Sequence, residues 1–330
     1  VDLWGRVRSA REAALLDAEA SREDVLAAAQ TLAARVASTW FQLVEQHGQL
    51  ALLDRQLRTN EQILELVTMR FHRGQVGAAD VLQQRQLIEA TLGQQAQGEA
   101  QAAVLAHALA ILLGLPPDRQ VTARTAVLAE LPPLPQTGVP AELIQRRPDL
   151  LSASRRVMAA DQRTAAALAE RFPRLGLSAR LDSEGGRGAD LFTNWLATLA
   201  ANLAAPLMDG GRLQAEADRA AAAATEALHL YGQTLLAALA EVEDALVREE
   251  GQRQLLARLD RQLETAALVT GRVRDRYVRG TEEYLRVLNA LLTQQGLERT
   301  RLAAHRQLLQ ERIDLYRALA GGIVLPAREE

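Results

Sequence analysis

The sequence predicts a mainly α-helical protein with a small β part, built from two tandem repeats of a long antiparallel coiled-coil helical hairpin plus one β-hairpin. Three observations predict it. First, the chain repeats itself. Displaced by 206 positions it aligns on itself without a gap: Gly5-Arg6 falls on Gly211-Arg212, Arg73-Gly74 on Arg279-Gly280, Val81-Leu82 on Val287-Leu288, and Leu113 on Leu319. Second, aromatics make up 3% of residues against an apolar fraction of 48%, so Ala and Leu supply most apolar surface. With Glu, Gln and Arg these are the strong helix formers, and their dominance reads as long helices or coiled coil. Third, the hydrophobic period drops to two in one region only, residues 174–207.

Residues 6 to about 72 read as the first long helix. Val36, Leu43, Leu50 and Leu57 recur every seven residues, a coiled-coil seam. At 1.5 Å per residue such a helix is roughly 100 Å long. Gly48 is its only internal glycine and it holds no proline. After the turn at Gly74 a second helix runs from about Ala79 to Leu113, stopped by Gly114-Leu115-Pro116-Pro117. This first repeat, 1–117, has its tip near 72–80. Residues 118–173 form a connector with further short helices. Pro132, Pro133 and Pro135 keep its first part extended. One short helix is expected near Pro140, and another from Pro148 to about Glu170, proline suiting the first helical turn.

From Arg174 to Leu181 the pattern alternates, with Leu175, Leu177, Ala179 and Leu181 on one side and Gly176, Ser178 and Arg180 on the other. Residues 182–190 are a Gly-, Ser- and charge-rich loop. From Trp195 to Leu207, Trp195, Leu199, Leu203 and Leu207 share one face, Thr198 and Asn202 the other. Two alternating segments around a polar loop make a hairpin. An apolar outer face with a polar or small inner face is what a lipid-embedded barrel strand needs. Pro206 falls near the strand end, where it is tolerated. The stretch 191–208 is the nearest approach to a spanning helix, but Thr193, Asn194, Thr198, Asn202 and Pro206 argue against one. The second repeat, 208–322, turns at Asp209-Gly210-Gly211 and runs as helix to about Tyr277. Leu228, Leu235 and Val242 keep the seven-residue spacing, as do Leu239 and Leu246. A tip near 277–286 leads to a last helix from about Glu283 to Leu319, ended by Gly321-Gly322. Residues 323–330 are a tail.

A net charge of −3 without a basic stripe argues against a nucleic-acid partner. All 38 basic residues are Arg. Without Cys there is no disulfide, thiolate metal site or thiol nucleophile. No signal peptide is visible. The chain begins inside a repeat unit, so the natural protein is expected to continue upstream. His47, His72, His107, His229 and His305 form no zinc-binding pair, and no Walker loop is present. Met69, Met158 and Met208 are too scattered for copper. The chain therefore reads as no enzyme, with no cofactor or metal. Glu249-Glu250 reads as a solvated helix face.

Several segments together resemble one family. Residues 139–150, with Arg146-Arg147-Pro148-Asp149, are similar to the RRPD segment of outer-membrane efflux channels of the TolC/OprM type, in the NodT-like lipoprotein branch. Phe172-Pro173-Arg174-Leu175 resembles the entry to that family's second barrel hairpin. Pro206-Leu207-Met208-Asp209-Gly210-Gly211-Arg212 resembles its PLFDGGR exit, with Met at 208 where Phe is usual. Asp2-Leu3-Trp4-Gly5-Arg6 is similar to its DLWGR, and residues 315–322 to its LYKALGGG terminus. The matches span the chain in family order.

The resemblance implies a homotrimer in the outer membrane of a Gram-negative bacterium. Each protomer gives four strands to a shared β-barrel and its helical hairpins to a trimeric α-barrel crossing the periplasm. The other hairpin, the signal peptide and a lipid-bearing Cys are expected upstream of Val1. The implied function is the passive exit duct of a tripartite efflux pump for drugs or other small molecules. Its implied partners are a periplasmic adaptor, an inner-membrane resistance-nodulation-division transporter, and outer-membrane lipid. The alternatives are a type I protein secretion channel and a soluble coiled-coil scaffold. The resemblance also places adaptor docking at the tip turns Arg73, Gly74, Gln75 and Arg279, Gly280, Thr281. It places the periplasmic entrance at Asp80, Tyr277, Glu282, Leu285, Arg286 and Asn289. Asp80 and Tyr277 match positions that link neighbouring hairpins when the entrance is closed. Glu282 stands where some relatives have Arg, and Arg286 where they have Asp. The two can pair, being four apart. Asn289 replaces an aspartate that narrows the pore, and Leu285 is a candidate apolar constriction.

Overall fold

The computed structural model describes residues 1–119, 121, 126–134, 144–183 and 195–319. Its elements are α1 (Arg6–His72), α2 (Ala78–Leu112), α3 (Pro148–Ala169), β1 (Arg174–Ser183), β2 (Trp195–Ala204), α4 (Arg212–Val278) and α5 (Tyr284–Ala318). The sequence repeat is a repeat of structure. Helices of 67 and 35 residues occur twice, and each second boundary lies 206 residues after the first: Arg6 and Arg212, His72 and Val278, Ala78 and Tyr284, Leu112 and Ala318. Residues 144–146 are helical. The start of the helix expected near Pro140, the loop from Glu184, Gly321-Gly322 and the tail lie outside the described residues. β2 ends at Ala204, three residues short of the expected Leu207, so Pro206 follows the strand instead of sitting in it.

The chain divides into two units. One comprises the described residues of Val1–Ala28 and Gly138–Leu239. Here α3 lies on the start of α1. Ala13, Ala20, Ala159 and Ala160 are buried, and such small side chains let the two helices approach closely. Charge aligns them. Arg155 donates to Glu19 at 3.0 Å and to Glu23 at 2.7 Å, Arg156 and Arg163 pair with Asp24 and Asp17, and the Ser152 hydroxyl donates to Asp24 at 2.7 Å. At the head of α3, Arg147 reaches the Asp149 carboxylate at 3.1 and 2.7 Å. Burial raises the pKa of Asp149, but the Arg147 hydrogen bond and charge outweigh it and hold the carboxyl below its ordinary value. β1 and β2 form an antiparallel pair in register from Arg174↔Ala204 to Ser183↔Trp195.

The other unit comprises the described residues of Ala29–Thr137 and Ala240–Ile323. Its helices lie in the order α2–α1–α5–α4. Between α1 and α2, Gln46 donates to Gly98 O at 3.1 Å. A Cβ on Gly98 would stand 2.9 Å from Leu50 Cδ2. Between α1 and α5, Gln56 donates to Gln295 O at 3.2 Å. Between α5 and α4, Gln252 donates to Ala304 O at 2.9 Å and Thr270 to Ala290 O at 3.2 Å. The expected seam of α1 faces α2: Leu43 is buried with Ala102 and Leu109, and Val36 and Leu50 pack against them. The seam of α4 is less covered. In this unit Val242 is buried and Leu246 is half-buried, while in the first unit Leu239 is half-buried and Leu228 is 54% exposed.

One sequence expectation fails here. Glu249 is not on a solvated face; it is 1% exposed, and Arg312 is 3% exposed. Arg312 Nε and Nη2 each donate to the Glu249 carboxylate at 2.8 Å, and Arg253 adds a third bond at 2.7 Å. The remaining Arg312 nitrogen, Nη1, donates to Pro132 O at 2.7 Å and Pro133 O at 3.0 Å. Facing helices and the connector take Glu249 out of water, which the isolated sequence around it does not reveal. The connector prolines fit this role because they bring carbonyl acceptors and no N–H that needs a partner.

Both tip glycines hold left-handed backbone, φ 68° at Gly74 and 80° at Gly280. We expect Gly74→Ala or Gly280→Ala to cost about 1–2 kcal/mol each. Gly296→Ala, mid-helix with open space around a new Cβ, should instead gain about 0.5–1 kcal/mol. Opposite shifts in thermal unfolding, followed by circular dichroism, check this. Arg312→Met should cost about 3–5 kcal/mol by leaving Glu249 buried and underpaired, and should speed proteolysis within 126–134. Adding Glu249→Leu should restore part of the loss.

Candidate functional site

Each long helix ends in the same turn. Gly74 N donates to Phe71 O at 2.8 Å and Gln75 N to Arg70 O at 3.0 Å. Gly280 N donates to Tyr277 O at 2.9 Å and Thr281 N to Arg276 O at 3.0 Å. These are paired Schellman closures, which satisfy helix-end carbonyls and need a left-handed residue at the glycine. Arg73, Gly74, Gln75, Arg279, Gly280 and Thr281 are all exposed. The tips are closed turns with exposed side chains, of which Thr281 Oγ1 donates to Arg276 O at 3.1 Å.

The two tips are tied by a residue that sequence reading missed. Arg70 lies over the Tyr277 ring, 4.4 Å from its centroid, donates to Tyr277 O, and donates to Gln75 Oε1 at 3.2 Å. Beneath it, Ile63, Val67, Val81, Tyr277, Tyr284, Val287 and Leu291 form the tip core. Tyr284 donates to Gln84 Oε1 at 2.6 Å, Gln84 donates to Asn60 O at 2.7 Å, and Gln295 donates to Asn60 Oδ1 at 3.0 Å. This buried polar ladder crosses from the first hairpin to the second. Its signal in the sequence is Gln and Asn at core-facing helical positions, visible only once the seams are known.

The expected entrance residues fall into three groups. Tyr277 is 1% exposed, yet its hydroxyl has no hydrogen-bond partner among the described residues. The Tyr277–Asp80 bond is thus not made within the chain. Burial first, and the nearby Asp80 charge next, push the Tyr284 phenol well above its ordinary value; burial also raises Tyr277, against the opposing charge of Arg70. Glu282 and Arg286 do meet, at 3.4 Å, and Arg276 reaches the same carboxylate at 3.7 Å. Because α5 starts at Tyr284, Glu282 pairs from the turn and not from within the helix. Leu285, 53% exposed, and Asn289 stand outside the core.

The second surface is the strand pair. Register puts Leu175, Leu177, Leu181, Leu199, Leu203 and Trp195 on one face with three alanines between them. The opposite face holds Gly176, Ser178, Arg180, Asp182, Thr198, Ala200 and Asn202, with Leu196 its one large apolar residue. Leu177, Leu181, Trp195, Leu199 and Leu203 are 59–81% exposed. At the hairpin base Trp4 stacks on Phe172 at 4.8 Å and donates to Pro173 O at 2.8 Å. An apolar strand face bounded by aromatic residues at both ends is the make-up of a membrane β-barrel strand pair. Among the described residues no helix is long and apolar enough to cross a membrane.

Strands of this kind beside long helical hairpins define an outer-membrane channel subunit. The family model described as outer membrane efflux protein matches residues 1–115 and 139–321. The pyoverdine export outer membrane protein OpmQ of Pseudomonas putida is 36% identical over 326 residues, 98% of this chain and 68% of that protein. A membrane protein from Pseudomonas aeruginosa superposes with a TM-score of 0.92 at 29% identity, covering 99% of this chain and 75% of the other. The outer-membrane channel OprN does so with a TM-score of 0.90 at 28% identity, covering 97% and 73%. The chain belongs to the outer membrane efflux protein family. It is an outer-membrane efflux channel component, and the soluble scaffold reading falls away.

Tyr284→Phe should strand the buried Gln84 Oε1 and cost about 1–3 kcal/mol, with Gln84→Leu recovering part of it in a double-mutant cycle of thermal unfolding. The raised Tyr284 pKa sets the sign of the pH effect. The native tip holds this proton more tightly than the unfolded chain, so stability is full below about pH 10 and falls as pH rises beyond it.

Proposed function

We propose that the chain is one of three identical subunits of the exit duct of a tripartite efflux pump for small molecules. The repeats 1–117 and 208–322 build the duct wall, 118–173 the belt around it, and 174–207 the subunit's share of a β-barrel in outer-membrane lipid. The tip turns Arg73-Gly74-Gln75 and Arg279-Gly280-Thr281 dock a periplasmic adaptor. An inner-membrane transporter of the resistance-nodulation-division class supplies the energy. The observation that carries this reading is the strand pair. Its apolar face is exposed at Leu177, Leu181, Trp195, Leu199 and Leu203, and a two-stranded sheet is marginal alone. Closure with other copies in lipid satisfies both needs.

Asp80, Tyr277, Glu282, Leu285, Arg286 and Asn289 surround the periplasmic entrance. The unpartnered Tyr277 hydroxyl supports this assignment. Leaving such a group buried and unbonded costs about 1–3 kcal/mol, and the Asp80 carboxylate of a neighbouring hairpin supplies a charge-assisted acceptor. The link holds the entrance shut. In planar bilayers Tyr277→Phe should raise the conductance of the full-length protein several-fold. Pores of unchanged conductance would rule out the link, and a full-length protein that forms no pores would rule out the duct.

A further inference from the structure

We infer that the groove between α4 and α5 near the tips binds an amphipathic organic anion. The groove encloses about 1000 Å³, the upper end of the range for small-molecule sites. Val269 and Val273 line it with small and apolar neighbours, with Arg258 and Arg261 towards one end and Arg286 and Asn289 towards the other. No carboxylate is among the lining residues. Several exposed arginines of the long helices sit against acids, Arg58 of α1 on Asp54, Arg253 of α4 on Glu250 and Arg301 of α5 on Asp260. In the groove Arg258 has no partner among the described residues, and Arg261 Nε reaches only Ala257 O of its own helix, at 3.2 Å. Arg286 touches Glu282 at 3.4 Å with its side chain 67% exposed.

Arg258 and Arg261 stand three apart on α4, so two guanidiniums share one end of the groove, with Arg286 towards the other end and no carboxylate among the lining residues between them. These arginines raise the local concentration of anions, and each presents a planar fork that fits a carboxylate, sulfonate or phosphate. The apolar lining favours a ligand with a hydrophobic body over a hydrated inorganic ion. On α4 the lining positions lie opposite Ala267, Thr270 and Gly271, which face Thr59 and Ile63 of α1. The groove therefore opens away from α1 and is not filled by the chain's own packing. The binding site stands on this groove alone. That its ligands belong to the exported substrates rests on the duct reading.

The test is isothermal titration of naphthalene-2-sulfonate into the purified, detergent-solubilised protein, beside a naphthyl trimethylammonium salt of the same outline. Saturable binding of the sulfonate and none of the cation is expected. Arg258→Gln/Arg261→Gln, and independently Thr265→Asp, which sets a carboxylate four residues from Arg261 in the groove lining, should weaken binding at least ten-fold with unchanged circular dichroism. Equal binding of the cation, sulfonate binding indifferent to both variants, or no saturable binding, as when another copy covers the groove, would overturn the site. Bilayer recording separates the two readings. Sulfonate binding by a protein that forms no pores keeps the site and removes the duct, whereas pores without sulfonate binding do the reverse.

Discussion

The constraint on which the structure depends is the unmet strand pair. β1 and β2 bond to each other and, among the described residues, to no other strand. Along one edge of β1, Val1 N donates to Leu175 O at 2.7 Å. One face is leucine, alanine and tryptophan, and it is open. In water such a surface aggregates; in lipid the apolar face is satisfied, but unpaired edge groups become more costly still. Only joining further strands into a closed barrel meets both demands. The exposed apolar residues of the long helices, Leu236, Val247 and Leu268 among them, belong to the same condition: surface that one chain leaves uncovered.

The helical part answers a different demand. A row of long helices has no centre in which to bury a large core, so α1, α2, α4 and α5 are joined by narrow seams with polar groups threaded through them. Arg312 gathers Glu249 and two proline carbonyls. Asn60 joins Gln84 to Gln295. Such contacts have directional geometry, so they set the register between hairpins in a way that leucine packing alone, which tolerates sliding, does not. Arg70 does the same at the tips, where the polar ladder ends.

Much of this was legible before any coordinates. The 206-residue repeat and the glycine-ended helices located the four long helices to within a residue or two, because a helix without internal proline has few places to stop. Alternation located both strands and assigned Leu175, Leu199 and Trp195 to one face, as the register shows. Glu249 was misjudged because its neighbour Glu250 is solvated, and a single residue step, about 100° around the helix, separates burial from exposure. Arg70, Gln84 and Tyr284 were missed because their partners lie up to about 200 residues away, and periodicity carries no information on which polar residues meet across helices. The entrance residues were named by resemblance. Glu282 and Arg286 did come together, but Tyr277 and Asp80 do not bond among the described residues.

The central claim, that this chain completes itself only with identical copies, is tested most directly by its mass in solution. Native mass spectrometry of the full-length protein released from mild detergent should give three chains. A single chain, stable and dispersed under the same conditions, would contradict the account.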